Sequence, residues 1–99
     1  MIIRHYVYIV RCADRSLYTG YAKDPKARVR VHNCGRGARY TAGRRPVRLV
    51  YSEVFETVGD ALRREHQLKR LTKEKKEALI ASSRKARARR PAGWRRRLR

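Results

Sequence analysis

Acidic residues are scarce in this chain. Its 99 residues include 8 Asp and Glu against 28 Lys and Arg, a formal net charge of +20. Long apolar runs are missing too, and nothing approaches the roughly 20 residues that a membrane span needs. The opening Met1-Ile2-Ile3-Arg4-His5-Tyr6 lacks the apolar centre of a secretion signal, because charge returns at Arg4 and Arg11. These absences predict a cytoplasmic protein without a membrane segment. Cysteine is limited to Cys12 and Cys34, which form no CxxC pair. They read as free thiols, with too few companion ligands for a zinc site.

The length allows one domain. Residues 1–81 hold 19 basic and all 8 acidic residues, a surplus of +11. Residues 82–99, SSRKARARRPAGWRRRLR, add nine basic residues and no acidic one. That segment has too little apolar surface to offset its ordering entropy. The expected division is a folded domain over 1–81 and a flexible Arg-rich tail over 82–99, able to become helical when bound. Trp94 in the tail could stack on a base or anchor the tail to the domain.

This charge balance selects a polyanionic partner. Each phosphate neutralised by Lys or Arg releases counterions, which gives affinity without sequence information. A membrane of acidic lipids would attract the tail for the same reason. Nucleic acid is the expected partner, DNA first and RNA second.

His5 to Arg11 is rich in β-branched and aromatic residues and reads as a strand. Ala13–Ser16 is a turn, and Leu17–Tyr21 a second strand that completes a hairpin. Gly20 there suggests close approach of another group. Asp24-Pro25 opens a helix to about Cys34, with Asp24 as cap and an apolar stripe of Ala27, Val31 and Cys34. Residues 35–46 form a basic loop. Val47–Phe55 is a third strand with Val47, Leu49, Tyr51 and Phe55 on one face. Thr57 caps a helix to about Arg70, and Thr72 caps another over 73–81. The order ββαβαα predicts a small α+β domain, with a three-stranded, mainly antiparallel sheet flanked by helices.

Three places break the local pattern. The helix after Thr57 should bury Val58, Ala61, Leu62, residue 65 and Leu68, yet residue 65 is Glu. A carboxylate on that face needs an arginine, an edge position that reaches water, or a metal. Arg28 and His32, four apart, share one face of the first helix. They are either a solvated face or a phosphate fork beside a proton carrier. Tyr6 and Tyr8 share a strand face with Val10, and Tyr18 lies on the next strand. They form an aromatic core or present their hydroxyls to a ligand.

Taken together, Tyr6-Val7-Tyr8, Tyr18-Thr19-Gly20, Arg28, His32 and Glu65 resemble the GIY-YIG nuclease family. Val7-Tyr8-Ile9-Val10-Arg11-Cys12, Gly37-Ala38-Arg39-Tyr40-Thr41 and Ala61-Leu62-Arg63-Arg64-Glu65 are similar to its small stand-alone branch, related to the N-terminal incision domain of the UvrC repair subunit. The likeness covers roughly residues 5–81. It implies phosphodiester hydrolysis with one divalent ion, Mg²⁺ or Mn²⁺, and no small-molecule cofactor. By position, Tyr8 matches the tyrosine that orients or activates water, and Tyr18 the one beside the scissile phosphate. Arg28 matches the phosphate-stabilising arginine, His32 a proton-transfer position and Glu65 the metal ligand. Tyr8 is a poor base at its ordinary pKa of about 10, and Arg28 with a metal would lower that value. Lys23, Lys26, Arg36, Arg39, Arg44 and Arg45 are expected to hold the nucleic-acid backbone.

Two departures accompany the likeness. Tyr6 stands where the first tripeptide has glycine. The region after Glu65 reads Glu74-Lys75-Lys76-Glu77, without the Asn many members carry there, which predicts altered substrate positioning and slow turnover. The expected function is therefore a metal-dependent DNA endonuclease for repair or processing, directed by DNA structure rather than sequence. The alternatives are a non-enzymatic nucleic-acid binder that keeps the nuclease fold, and an interaction module whose arm docks on RNA or the ribosome.

Overall fold

The protein's computed structural model describes residues 3–88. Along it run β1 (His5–Arg11), β2 (Leu17–Ala22), α1 (Pro25–Asn33), α2 (Arg39–Ala42), β3 (Arg48–Phe55), α3 (Val58–Lys69) and α4 (Lys73–Ala88). The sheet order is β2-β1-β3, with both pairings antiparallel. This is the α+β class and three-stranded sheet that the sequence predicts.

β1 is central because Val7, Tyr8, Ile9 and Val10 are all buried. An uninterrupted apolar run suits a strand covered on both faces. Val7 and Ile9 pack with Tyr51, with Ala61 and Leu68 of α3, and with Ile80 of α4. Tyr8 and Val10 point the other way, to Cys12, Ala22, Val47 and Val29 of α1. Each large apolar side chain so buried contributes about 1.5–3 kcal/mol. In the β1–β2 turn, Asp14 accepts from the Ser16 amide at 3.0 Å, and Arg15 takes a left-handed φ of 69°.

Four local expectations are corrected. First, Ile9 pairs with Tyr51 but Val10 with Leu49, so Val50 is the extra residue of a β-bulge. The bulge sends Tyr51 to the α3 face and Leu49 to the α1 face, where plain alternation put them together. Second, α1 buries Pro25 and His32, while Val31 is 38 % exposed and Cys34 lies in solvent. The helix is turned relative to its expected stripe because His32 has polar partners inside. Third, the loop over 35–46 contains the short helix α2. Fourth, α4 continues to Ala88, past the expected end at residue 81. Ala81, Arg84, Lys85 and Ala86 favour helix, and no proline intervenes until Pro91. The rest of the expected tail, 89–99 with Trp94, lies outside the described residues.

Capping follows the sequence. The Asp24 carboxylate accepts from the Ala27 amide at 3.1 Å, and the Thr57 hydroxyl from the Asp60 amide at 3.1 Å. Asn33 bonds Val47 twice, at 2.7 and 2.9 Å, locking the end of α1 to the start of β3. Arg11 grips Glu77 of α4 through two bonds of 2.7 Å. Among the described residues, no helix is long and apolar enough to cross a membrane.

Candidate active site

β2 is an edge strand, so helices on opposite faces of the sheet can meet across it. α1 packs on one face and α3 on the other. Tyr8, Tyr18, Arg28, His32 and Glu65 line one cleft of about 460 Å³ there, with Gly20, Tyr21, Arg36, Gly37, Ala38 and Leu62. The cleft therefore gathers all five candidates.

Gly20 lies directly opposite Tyr8 in the sheet. A Cβ at Gly20 would stand 2.5 Å from the Tyr8 hydroxyl, so the missing side chain lets the phenol cross β2. That hydroxyl meets His32 Nε2 at 2.9 Å. His32 Nδ1 lies 2.9 Å from Thr41 Oγ1, whose hydroxyl donates to the Ala38 carbonyl, also at 2.9 Å. Gly37 packs so closely on the His32 ring that a Cβ there would collide with it. Tyr18 presents its ring to His32 edge-on, with centroids 5.4 Å apart, and stacks on Tyr40 at 5.9 Å.

Electrostatics correct the part of the Tyr8 expectation that falls to Arg28. Burial, with the nearby Tyr18 and Glu65, pushes the Tyr8 phenol up to about 12. Arg28 pulls the other way but does not win. Burial and the neighbouring Arg28 hold His32 below its usual range. Tyr8 is thus a neutral phenol at pH 7, and His32 a neutral imidazole.

Glu65 is not part of the core stripe. Its side chain is 19 % exposed and lies 3.5 Å from Lys69. The stripe expected beside it is narrower, since Val58 and Leu62 are 46 % and 45 % exposed while Ala61 and Leu68 are fully buried. A partly buried carboxylate that opens on a cleft and has one loose partner can serve a hard cation. Among the described residues no three His, Cys, Asp or Glu cluster as a metal cage. The donor set fits a Mg²⁺- or Mn²⁺-like ion on one carboxylate, with water and phosphate completing its shell.

The expected backbone contacts divide. Arg36 lines the cleft, and Lys23 lines an adjoining hollow with Arg28. Lys26 and Arg39 are exposed outside it. Arg44 bonds Asp14 and the Tyr40 carbonyl and covers the Tyr40 ring at 4.0 Å. Arg45 bonds the carbonyls of Ala42 and Asn33. These two arginines hold the loop around α2. Sequence reasoning assigned no part to Thr41, Gly37 or Tyr40, although all three sit in the Gly37–Thr41 block that carries the family likeness.

Residues 4–78 match the model of the GIY-YIG catalytic domain. A UPF0213 protein of Staphylococcus aureus is 60% identical over 76 residues, covering 77% of this chain and 93% of that protein. Among solved structures, a UPF0213 protein of Bacillus halodurans is similar at TM-score 0.52 and 46% identity, covering 79% of this chain and 83% of its own. A protein of E. faecalis is similar at TM-score 0.56 and 41% identity, covering 82% and 86%.

Proposed function

This chain belongs to the GIY-YIG family, a nuclease-type family, and from that premise we propose that it is a metal-dependent DNA endonuclease directed by DNA structure. The observation that carries this reading is the convergence of Tyr8, Tyr18, Arg28, His32 and Glu65 on one cleft. Hydrolysis of a phosphodiester needs an oriented water, neutralised phosphoryl oxygens and a place for the water's proton. Tyr8 orients the water, and its bond to His32 offers the proton a way out. Arg28 faces the phosphoryl oxygens, with Tyr18 beside the scissile group. Glu65 would hold the divalent ion, which supplies Lewis-acid stabilisation of the phosphate. Arg36 and Lys23 grip the flanking backbone and read no base edges, which favours recognition of shape.

The test is a cleavage assay over duplex, flap, branched and single-stranded DNAs, with Mg²⁺ or Mn²⁺. Glu65→Ala should lose several kcal/mol of transition-state stabilisation, about 10³-fold in rate, while DNA affinity stays equal or rises. Full cleavage by Glu65→Ala would remove Glu65 from the role. Tight binding without cleavage on every substrate would replace the hydrolase with a nucleic-acid binder.

A further inference from the structure

We infer that Thr41 is a positioning residue that fixes the tautomer of His32, keeping the proton on Nδ1 and leaving the Nε2 lone pair for the Tyr8 hydroxyl. This rests on the hydrolase reading for its consequence, but not for its geometry.

Thr41 is fully buried, and its hydroxyl has one proton. The Ala38 carbonyl, 2.9 Å away, can only accept, and so takes that proton. Thr41 Oγ1 then accepts from Nδ1–H of His32 at 2.9 Å. With Nδ1 protonated, Nε2 is an acceptor, and the phenol 2.9 Å away donates to it. The opposite tautomer would draw the Thr41 proton to Nδ1. It would also lean on the Ala38 amide, which reaches Nδ1 only at 3.4 Å. With Nδ1 protonated, three bonds of 2.9 Å form, Thr41 to Ala38, Nδ1 to Thr41 and Tyr8 to Nε2, and only the long bond in which the Ala38 amide would donate to Nδ1 is given up. Gly37, tight against the ring, keeps the imidazole from turning away.

The consequence concerns Tyr8, which holds its own proton. It can take one from water only as it gives one up. As the water oxygen bonds to phosphorus, a water proton moves to the Tyr8 oxygen and the Tyr8 proton moves to Nε2. The bond from phosphorus to the leaving oxygen breaks, and that oxygen is protonated from solvent. His32 emerges as an imidazolium whose Nδ1–H remains on Thr41, and it later returns one proton to solvent. Had Nε2 carried the proton from the start, His32 could not receive another there.

The first experiment needs no substrate. In ¹⁵N-labelled wild-type protein, long-range ¹H–¹⁵N correlation spectra should show His32 with Nδ1 protonated and Nε2 bare. A protonated Nε2 in the neutral ring would overturn the inference, whatever the protein cleaves. Thr41→Val, which replaces the hydroxyl with a methyl, should shift the ring toward Nε2–H. On a cleaved DNA it should lower kcat about 10–100-fold, with KM nearly unchanged. Thr41→Ser should restore both the nitrogen signature and the rate. Unchanged tautomer and unchanged kcat in Thr41→Val would refute the role. Absence of cleavage in wild type would count against the hydrolase reading alone, because the nitrogen signature stands apart from it.

Discussion

Tyr8 keeps its proton well past the range of an exposed phenol, and so does Tyr51, whose hydroxyl bonds Glu53; both are pushed up to about 12 by burial first. In the unfolded chain such phenols ionise near about pH 10. Between about pH 10 and 12 the unfolded state releases protons that the folded state retains, so stability falls as pH rises there. Urea midpoints should drop from about pH 9 to about pH 11, and Tyr8→Phe should lessen the drop. His32 acts at the other end. Its lowered pKa means the unfolded state takes up the proton first, so its contribution is present above about pH 6.5 and lost below it. At this scale the candidates were readable only as a set. Glu65 on an expected core face and His32 one turn from Arg28 each allow an ordinary structural reading alone, and become candidates only in order and spacing with Tyr8 and Tyr18. Thr41 gave no such signal, since a threonine is unremarkable in a basic loop until His32 is seen beside it.

At the level of elements, α4 meets the core through buried Ile80 with Leu79 packed beside it, and meets β1 through the Arg11–Glu77 ion pair. Ile80 is buried with Val7, Ile9 and Leu68. Ile80→Ala should cost about 2–5 kcal/mol, measured by urea unfolding. Glu77→Gln, which loosens the Arg11 pair, should cost well under about 1 kcal/mol, because both side chains reach solvent. Strand and helix identities were legible from period and caps: Asp24, Thr57 and Thr72 each mark a helix start. Faces were less so. The bulge at Val50 reverses the alternation within β3, and nothing in Arg48–Phe55 alone announces where the extra residue falls. The end of α4 was misplaced for a different reason. Low apolar content argued for a loose tail, yet helix propensity continues through Ala88.

For the molecule as a whole, charge governs the encounter with a polyanion. The +20 surplus predicts binding that weakens steeply with salt. Residues 89–99 contribute six arginines, and removing them should lower the slope of log affinity against log salt by up to about 0.9 per lost phosphate contact. Titrations of DNA binding across a salt series check this, and an unchanged slope would mean the segment leaves the backbone untouched. Cleavage specificity should be spared by the same deletion, because the cleft draws on residues between Tyr8 and Glu65.

Composition, spacing and hydrophobic period were enough to point to a polyanionic partner and to determine the α+β order, since these depend on local properties of the chain, while the family resemblance singled out the candidate side chains. Tertiary structure alone decided how those side chains act together. It put α1 and α3 on opposite faces of an edge strand so that their residues share one cleft, let the Tyr8 phenol pass over Gly20, and buried it so that desolvation outweighs the lowering pull of Arg28. Burial and distance belong to the packed chain, and no window of sequence contains them.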